Sequence, residues 1–305
     1  MLPAAPFIIA GPTGSGKSAV AVELALLCGG EIVNADAFQI YTGLDILTAK
    51  PSPELLASVP HHLFSTIPAG EPLDVAAYEP IARTCISEIA SRGRLPVVVG
   101  GSGLYLKTLT HGLSPLPPVD PELRERIAEL PLTIQVAWLQ HVDPEGAAII
   151  NHKNPRYISR ALEITLMAGR PASGLRRAWS QPPTQPVRGV TITRERAHLY
   201  ARIDRRVEEM IAGGAVGEVR ASPGRSSTAS RAIGYKELRD HLEGKLTLEE
   251  ATATIQQATR RYAKRQTTWF NREKELQTVC LDDSDDARSA AEKILTLFPE
   301  LKPPT

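Results

Sequence analysis

Phe7–Ser18 reads "FIIAGPTGSGKS", and the reading of this stretch decides the fold. "FIIA" is a short apolar run of the kind that forms a buried strand, and the residues from Gly16 to Cys28 carry a helical pattern. Between them, Gly11, Pro12, Thr13, Gly14, Ser15, Gly16, Lys17 and Ser18 fit G-x-x-x-x-G-K-[ST], in the strand-to-helix setting a phosphate loop requires. Glycines let successive backbone N–H groups turn toward one anion, Lys17 adds a compact positive charge, and the Ser18 hydroxyl suits Mg²⁺. The competing reading is a glycine-rich turn with a chance lysine, which the flanking elements disfavour.

Working outward, "EIV" at 31–33 and "LPVVVGG" at 95–101 are further apolar runs, the second following a helix whose apolar positions are Tyr78, Ile81, Cys85 and Ile89. Such alternation predicts an α/β fold: a P-loop NTPase-like parallel sheet flanked by helices. Proline-rich "SPLPPVDP" at 114–121 marks a boundary, and the chain beyond it to about 170 is mainly helical in pattern, with "LTIQVAWLQHV" at 132–142 read as helix. "RPASGLRRAWSQPPTQP" at 170–186 has loop composition, and "VRGVTIT" at 187–193 alternates like a strand able to rejoin the sheet. The expected organisation is a core of residues 1–118 and 187–305 carrying an inserted helical domain, 119–186. In the core's last part, Leu199, Ile203, Val207 and Met210–Ile211 form one helical face that stops at Gly213–Gly214. Thr247 and Glu250 form a capping box opening a helix with the apolar stripe Leu248, Ala251, Ile255, Ala258, Tyr262 and Trp269.

Composition excludes several classes. Of the 305 residues, 42% are hydrophobic and 23% charged, and no apolar run is long enough to span a membrane. The N-terminus lacks the basic flank and cleavage signature of a secretory leader, so a cytoplasmic location is expected. Cys28, Cys85 and Cys280 are too scattered for a disulfide framework or a zinc site. Charge is uneven: residues 1–150 hold 8 Lys+Arg against 15 Asp+Glu, about −7, and residues 151–305 hold 27 against 19, about +8. A basic half of this kind suggests a polyanionic partner, though a merely solvated basic surface has the same composition.

A nucleotide hydrolase normally has a second apolar strand ending in the acid that holds Mg²⁺. Here "LPVVV" runs instead into Gly100, Gly101, Ser102 and Gly103. The early carboxylate is Asp36, just past the second strand in "EIVNADAFQIY"; in isolation it is equally an aspartate that turns the chain.

With these residues in view, the chain resembles the tRNA dimethylallyltransferases (tRNA isopentenyltransferases) of bacterial type. The pieces are "GPTGSGKS", "NADAFQIYTGLDILTAKP" (34–51), "VPHHLF" (59–64), "VVVGGSGLYLK" (97–107), "NPRYISRALEI" (154–164), "RAIGYKEL" (231–238) and "TRRYAKRQTTWF" (259–270). The resemblance implies that the loop holds the diphosphate of dimethylallyl diphosphate with Mg²⁺, and that the acceptor is the exocyclic amine of the adenosine immediately 3′ of a tRNA anticodon. It implies Asp36 as general base, Lys17 and Arg231 on the departing diphosphate, and Ser102, where the family usually has Thr, beside the adenine or the diphosphate. Segments similar to the family's tRNA contacts are Asp36, Ala37, Phe38 and Gln39; Arg156, Tyr157, Ile158, Ser159 and Arg160; Arg231, Ala232, Ile233, Gly234, Tyr235 and Lys236; and Lys264, Arg265, Gln266, Thr267, Thr268, Trp269, Phe270 and Asn271. Arg124 is a further candidate. The implied partner is the anticodon stem-loop, its target base drawn from the stack, and the expected state is a monomer.

Departures from the family pattern are Ala37 and Phe38 in place of Ser and Met, Leu47 in place of Gly, and no acidic residue soon after His61–His62. The two histidines read as structural, Tyr262 and Trp269 as core by their place on the stripe, and Trp179 as a candidate for stacking on bases. The alternatives are a small-molecule P-loop kinase, an adenylate isopentenyltransferase using free AMP or ATP, and a non-catalytic RNA-binding module. Tests separating them are ATP turnover, prenylation of AMP, and the consequence of losing Asp36.

Overall fold

The computed structural model describes residues 5–175, 182–183, 186–222, 226 and 228–302; Trp179 lies outside the described residues. Two compact units emerge, one made of residues 1–109 with 185–305 and the other of residues 110–184.

The larger unit is built on a six-stranded sheet. In chain order the strands are β1 (Phe7–Ala10), β2 (Gly30–Asn34), β3 (His61–His62), β4 (Leu95–Gly100), β5 (Arg188–Arg194) and β6 (Gln277–Leu281), arranged 3-2-4-1-5-6 with every pairing parallel. Parallel pairing needs crossovers, and the crossover helices cover both faces of the sheet centre, so β1, β2 and β4 are buried on both sides while β3 and β6 at the edges are only partly buried. β1 shows how one run serves two cores. Phe7 and Ile9 point into a layer formed with α1 (Lys17–Cys28) and α14 (Ala287–Leu297), while Ile8 and Ala10 enter the layer containing α3 (Val75–Ser91) and α13 (Leu248–Phe270). Val97 and Val99 of β4 face the first layer and Val98 the second, so the two strands stack in register.

"VRGVTIT" does rejoin the sheet, as β5 beside β1, and the capping box closes as expected, with Glu250 N–H donating to Thr247 Oγ1 at 3.1 Å and Thr247 N–H to Glu250 Oε2 at 2.8 Å. Three positions differ from the apolar-stripe reading. Ile81 on α3 is exposed, with Ala82 and Ile86 taking the buried side alongside Tyr78, Cys85 and Ile89. On α13, Leu248 in the first turn and Trp269 in the last are exposed rather than core, because the buried face at the two ends is taken by Ala251 and Phe270 instead; the Trp269 indole edge lies against Gly103. His61 and His62 are structural as expected: His61 Nδ1 bonds Val59 O, and His62 Nε2 meets Glu31 Oε2 at 2.7 Å, pinning β3 to β2.

The smaller unit is helical in its described residues: α5 (Pro121–Ala128), α6 (Leu132–Val142), α7 (Pro144–Ile149), α8 (Pro155–Ala168) and α9 (Ala172–Leu175). Ile127, Leu139, Ala147, Ile158, Leu162 and Ile164 form its core, with Leu116 packed against it. The proline run thus belongs to this unit, held there also by Arg160, which donates to Pro117 O at 2.9 Å. Buried Glu163 organises the rest: it accepts from Arg124 Nη2 at 2.7 Å, from Asp120 N–H at 2.9 Å, and pairs with Arg160 at 3.0 Å. A carboxylate so placed in an apolar core is tolerated because both oxygens are met by charged or N–H partners.

Candidate active site

The carboxyl ends of β1, β2 and β4 lie side by side, since β4 runs between the other two. Ligands of open α/β sheets bind at such ends. β1 delivers the loop 11–16. Its last residue, Gly16, caps α1 in the left-handed region (φ 93°) and has no side chain to satisfy the first N–H groups of the helix. Those donors, with the helix dipole behind them, form an anion cradle. Lys17 Nζ reaches back to Pro12 O at 3.4 Å. Burial is the largest influence on this ammonium and lowers its pKa to about 8; the Asp36 charge pulls it up and Arg206 pushes it further down. An arriving anion would restore the charge that burial disfavours.

The cradle is braced from outside by four side chains. Arg194 donates to Ser15 O and Arg202 to Gly14 O, each at 3.0 Å, and Arg206 Nη1 donates to Thr13 Oγ1 at 3.1 Å. Gln266 Oε1 accepts the Thr13 N–H at 2.8 Å while its Nε2 donates to Gly101 O at 2.8 Å. Arg206 is also bonded to Ala49 O at 2.8 Å, and its burial lowers the pKa while Asp36 opposes that shift. Arg202, Arg205 and Arg206 were missed in the sequence reading, although their i, i+3, i+4 spacing on α10 (Arg196–Ala212), beside buried Ile203 and Val207, was a legible sign of one cationic edge.

β2 delivers Asp36. Asp36 turns the chain, its Oδ1 accepting from Phe38 N–H at 2.9 Å and Gln39 N–H at 3.4 Å, and the residue also lines the cleft that contains Lys17. Oδ2 takes part in neither bond. Asn34 Oδ1 accepts the Asp36 N–H at 2.9 Å and fixes the exit from the strand. β4 delivers Ser102, whose Oγ accepts the Ala37 N–H at 3.0 Å, joining the two strand ends. Gly100 is required there, because a Cβ would sit 2.1 Å from Ala35 O. Tyr262 on α13 meets Ser102 and Gln266 through its phenol, which burial above all pushes well above the ordinary tyrosine range.

These groups surround a cleft of about 440 Å³. Lys17, Arg202, Arg205 and Arg206 supply positive charge, Asp36 and Glu209 carboxylates, and Leu47, Ile203, Val207, Ile233 and Ile255 an apolar wall. Such a lining suits a molecule with a polyanionic head and a short apolar tail, next to a carboxylate able to take a proton.

The other expected site residues are distributed unevenly. Arg231 closes a 3₁₀ turn (Ala229–Arg231) and is exposed, outside the residues lining the cleft; its neighbours Ala232 and Ile233 turn inward instead. Among the segments expected to meet RNA, Arg156, Tyr157, Lys236, Lys264, Arg265, Thr268, Trp269 and Asn271 are exposed. Ile158, Ser159, Ala232, Gly234, Gln266 and Phe270 are buried, so their side positions support the surface rather than form it. Ser159 Oγ is spent on Gln135, Gln266 on the loop, Tyr235 Oη on Ser222 O, and Arg124 and Arg160 on Glu163. Leu47, a departure from the family pattern, is buried against the backbone near Gly234.

A six-stranded parallel sheet carrying this loop, with the Asp36 carboxylate at a neighbouring strand end, defines the α/β class of P-loop folds. The chain belongs to the IPP transferase family, which it matches over residues 39–273; residues 5–63 also match the isopentenyl transferase family. Among relatives, the tRNA dimethylallyltransferase of Akkermansia muciniphila is 44% identical over 287 residues, spanning 94% of this chain and 97% of the relative. That of Geobacter sulfurreducens is 44% identical over 283 residues, spanning 89% and 90%. The crystal structure of the full-length tRNA isopentenylpyrophosphate transferase from Bacillus halodurans superposes with a TM-score of 0.72 at 34% identity, covering 98% of this chain and 97% of the other. A eukaryotic dimethylallyltransferase acting on tRNA shares the fold with a TM-score of 0.83 at 24% identity, covering 98% and 80%.

Proposed function

We propose that this protein transfers a dimethylallyl group from dimethylallyl diphosphate to the exocyclic amine of the adenosine immediately 3′ of the anticodon in tRNA, releasing diphosphate. The observation that carries the reading is that Lys17 with its cradle and Asp36 line one cleft. The amine lone pair attacks the first allylic carbon, the carbon–oxygen bond breaks, and its electron pair leaves with the diphosphate. Negative charge grows on that leaving group, and the α1 N-terminus, Lys17 and Arg206 are fixed around the place where it grows. Asp36 takes the amine proton, which would otherwise leave the alkylated nitrogen cationic. Arg231 keeps its assigned role only if its exposed side chain swings to the diphosphate.

The donor chemistry fits Mg²⁺: Ser18 offers a hard hydroxyl oxygen at the cleft, and among the described residues no group of three or more His, Cys, Asp or Glu could hold a metal ion by itself. When bound, Mg²⁺ would be held by Ser18 together with phosphate oxygens and would neutralise leaving-group charge. Exposed Arg261, Lys264 and Arg265 on α13, and Arg156 and Tyr157 of the helical insert, are proposed to grip the anticodon stem-loop. A cytoplasmic monomer is the proposed state; no helix among the described residues is long and apolar enough to cross a membrane. The test is transfer of labelled dimethylallyl to a tRNA with adenosine beside its anticodon, run against AMP as acceptor. Transfer to tRNA is expected, and faster prenylation of AMP would overturn the RNA assignment.

A further inference from the structure

The cleft wall between Leu44 and Lys50 is a run of tight turns: Thr48 N–H bonds Leu44 O, Ala49 N–H bonds Ile46 O, and Lys50 N–H bonds Asp45 O. Like the first turn of a helix, it leaves leading N–H groups without acceptors inside the run. Those three donors converge on one carboxylate from far along the chain. Glu218, on the short helix α11 (Ala215–Arg220), accepts from Asp45 N–H at 2.5 Å and Ile46 N–H at 2.9 Å through Oε1, and from Leu47 N–H at 2.8 Å through Oε2. A charged acceptor meeting several N–H groups makes stronger bonds than a neutral one.

The far end of the same run touches the cradle machinery. Ala49 O accepts from Arg206 Nη2 at 2.8 Å and from Gln39 Nε2 at 3.1 Å, and Arg206 passes on to Thr13 Oγ1 at 3.1 Å. Ala49 adopts φ 48°, a left-handed value that a non-glycine residue holds only under constraint. Leu47, Thr48, Ala49 and Lys50 all line the cleft. The chain of contacts therefore runs from Glu218, through a turn with little freedom of its own, to the guanidinium beside the phosphate loop.

We infer that Glu218 is a positioning residue for the diphosphate site: by capping residues 45–47 it sets the Ala49 carbonyl, and through it the orientation of Arg206 against the cradle. This rests on the function proposed above. Glu218 is not among the residues lining the cleft, so its loss should weaken capture of the anion more than the chemical step or the grip on RNA.

The test compares wild type with Glu218→Gln and Glu218→Ala in the full chain. Gln keeps one acceptor but turns an NH₂ toward an N–H, so it should be intermediate. Expected are a KM for dimethylallyl diphosphate raised about 3- to 10-fold in Gln and more than 10-fold in Ala, kcat within about 3-fold, and an unchanged KM for tRNA. Calorimetric binding of inorganic diphosphate, which needs no transfer, should weaken in the same order. If Ala does not fold, the Gln variant and its diphosphate affinity decide. A lowered melting temperature with diphosphate affinity and KM at wild-type values would show mere tertiary glue and overturn the inference. A wild type that binds diphosphate but prenylates no tRNA sinks the proposed function instead, and leaves the binding series to judge Glu218.

Discussion

Gln266 and Thr13 are 253 positions apart in the chain, yet the Gln266 side chain accepts the Thr13 N–H at 2.8 Å and with its other end donates to Gly101 O at 2.8 Å. One buried amide thus ties the long helix α13 to the phosphate loop and to the end of β4. Gln266→Leu would leave both backbone groups without a partner, at a cost of about 2–4 kcal/mol. Urea unfolding at neutral pH measures it; a loss below about 1 kcal/mol would mean that water replaces the amide.

Asp36→Asn keeps an oxygen for the Phe38 N–H and so preserves the turn, while removing the proton acceptor. The transfer rate should fall by about 100-fold or more, with tRNA affinity nearly unchanged. Single-turnover assays and filter binding check the two halves, and a rate near wild type would remove Asp36 from the mechanism.

Lys17 carries a pKa lowered by burial to about 8 from 10.5. Between those values the unfolded chain binds more protons than the folded one, so the free protein should gain stability as pH rises from 8 toward 10.5. Diphosphate needs the charged form, so its affinity should fall over the same range. Binding near pH 8.5 should take up a proton, seen as a dependence of calorimetric heat on buffer ionisation enthalpy. Lys17→Arg should abolish that uptake, and equal heats in all buffers would contradict the depressed value.

Glu31 tests the sheet edge. Burial raises its carboxyl pKa, but hydrogen bonds from Arg92 and His62 outweigh burial and hold it below 4.5. Its contribution is present above the unfolded value and disappears as pH falls through the folded one. Melting temperatures from pH 6 to 3 should drop less steeply for Glu31→Gln than for wild type, even though the variant starts lower; parallel curves would refute the pairing.

The α13 surface bears on RNA. Reversing Arg261 and Lys264 to Glu should raise the tRNA KM about 10-fold or more at moderate salt, leave the KM for dimethylallyl diphosphate in place, and flatten the salt dependence of binding by roughly 1–2 in log–log slope. An unaltered slope would put the stem-loop elsewhere.

By itself the sequence determined the elements and the local chemistry. Apolar periodicity and the spacing of glycines act within a few residues, so "FIIAGPTGSGKS" sufficed to specify strand, loop and helix, and Thr247 with Glu250 sufficed to start α13. The tertiary structure alone decided which distant groups share the cleft. Nothing near Arg206 along the chain announces Asp36 or Thr13, and the sheet order, with β4 between β1 and β2 and β5, which leads into α10, on the other side of β1, is what brings them together. Packing also separates neighbours in sequence: Arg231 faces solvent and Ala232 the cleft, and Trp269 is exposed while Phe270 beside it is buried in the core. Burial depends on what packs opposite, and that is a property of the folded chain rather than of any window within it.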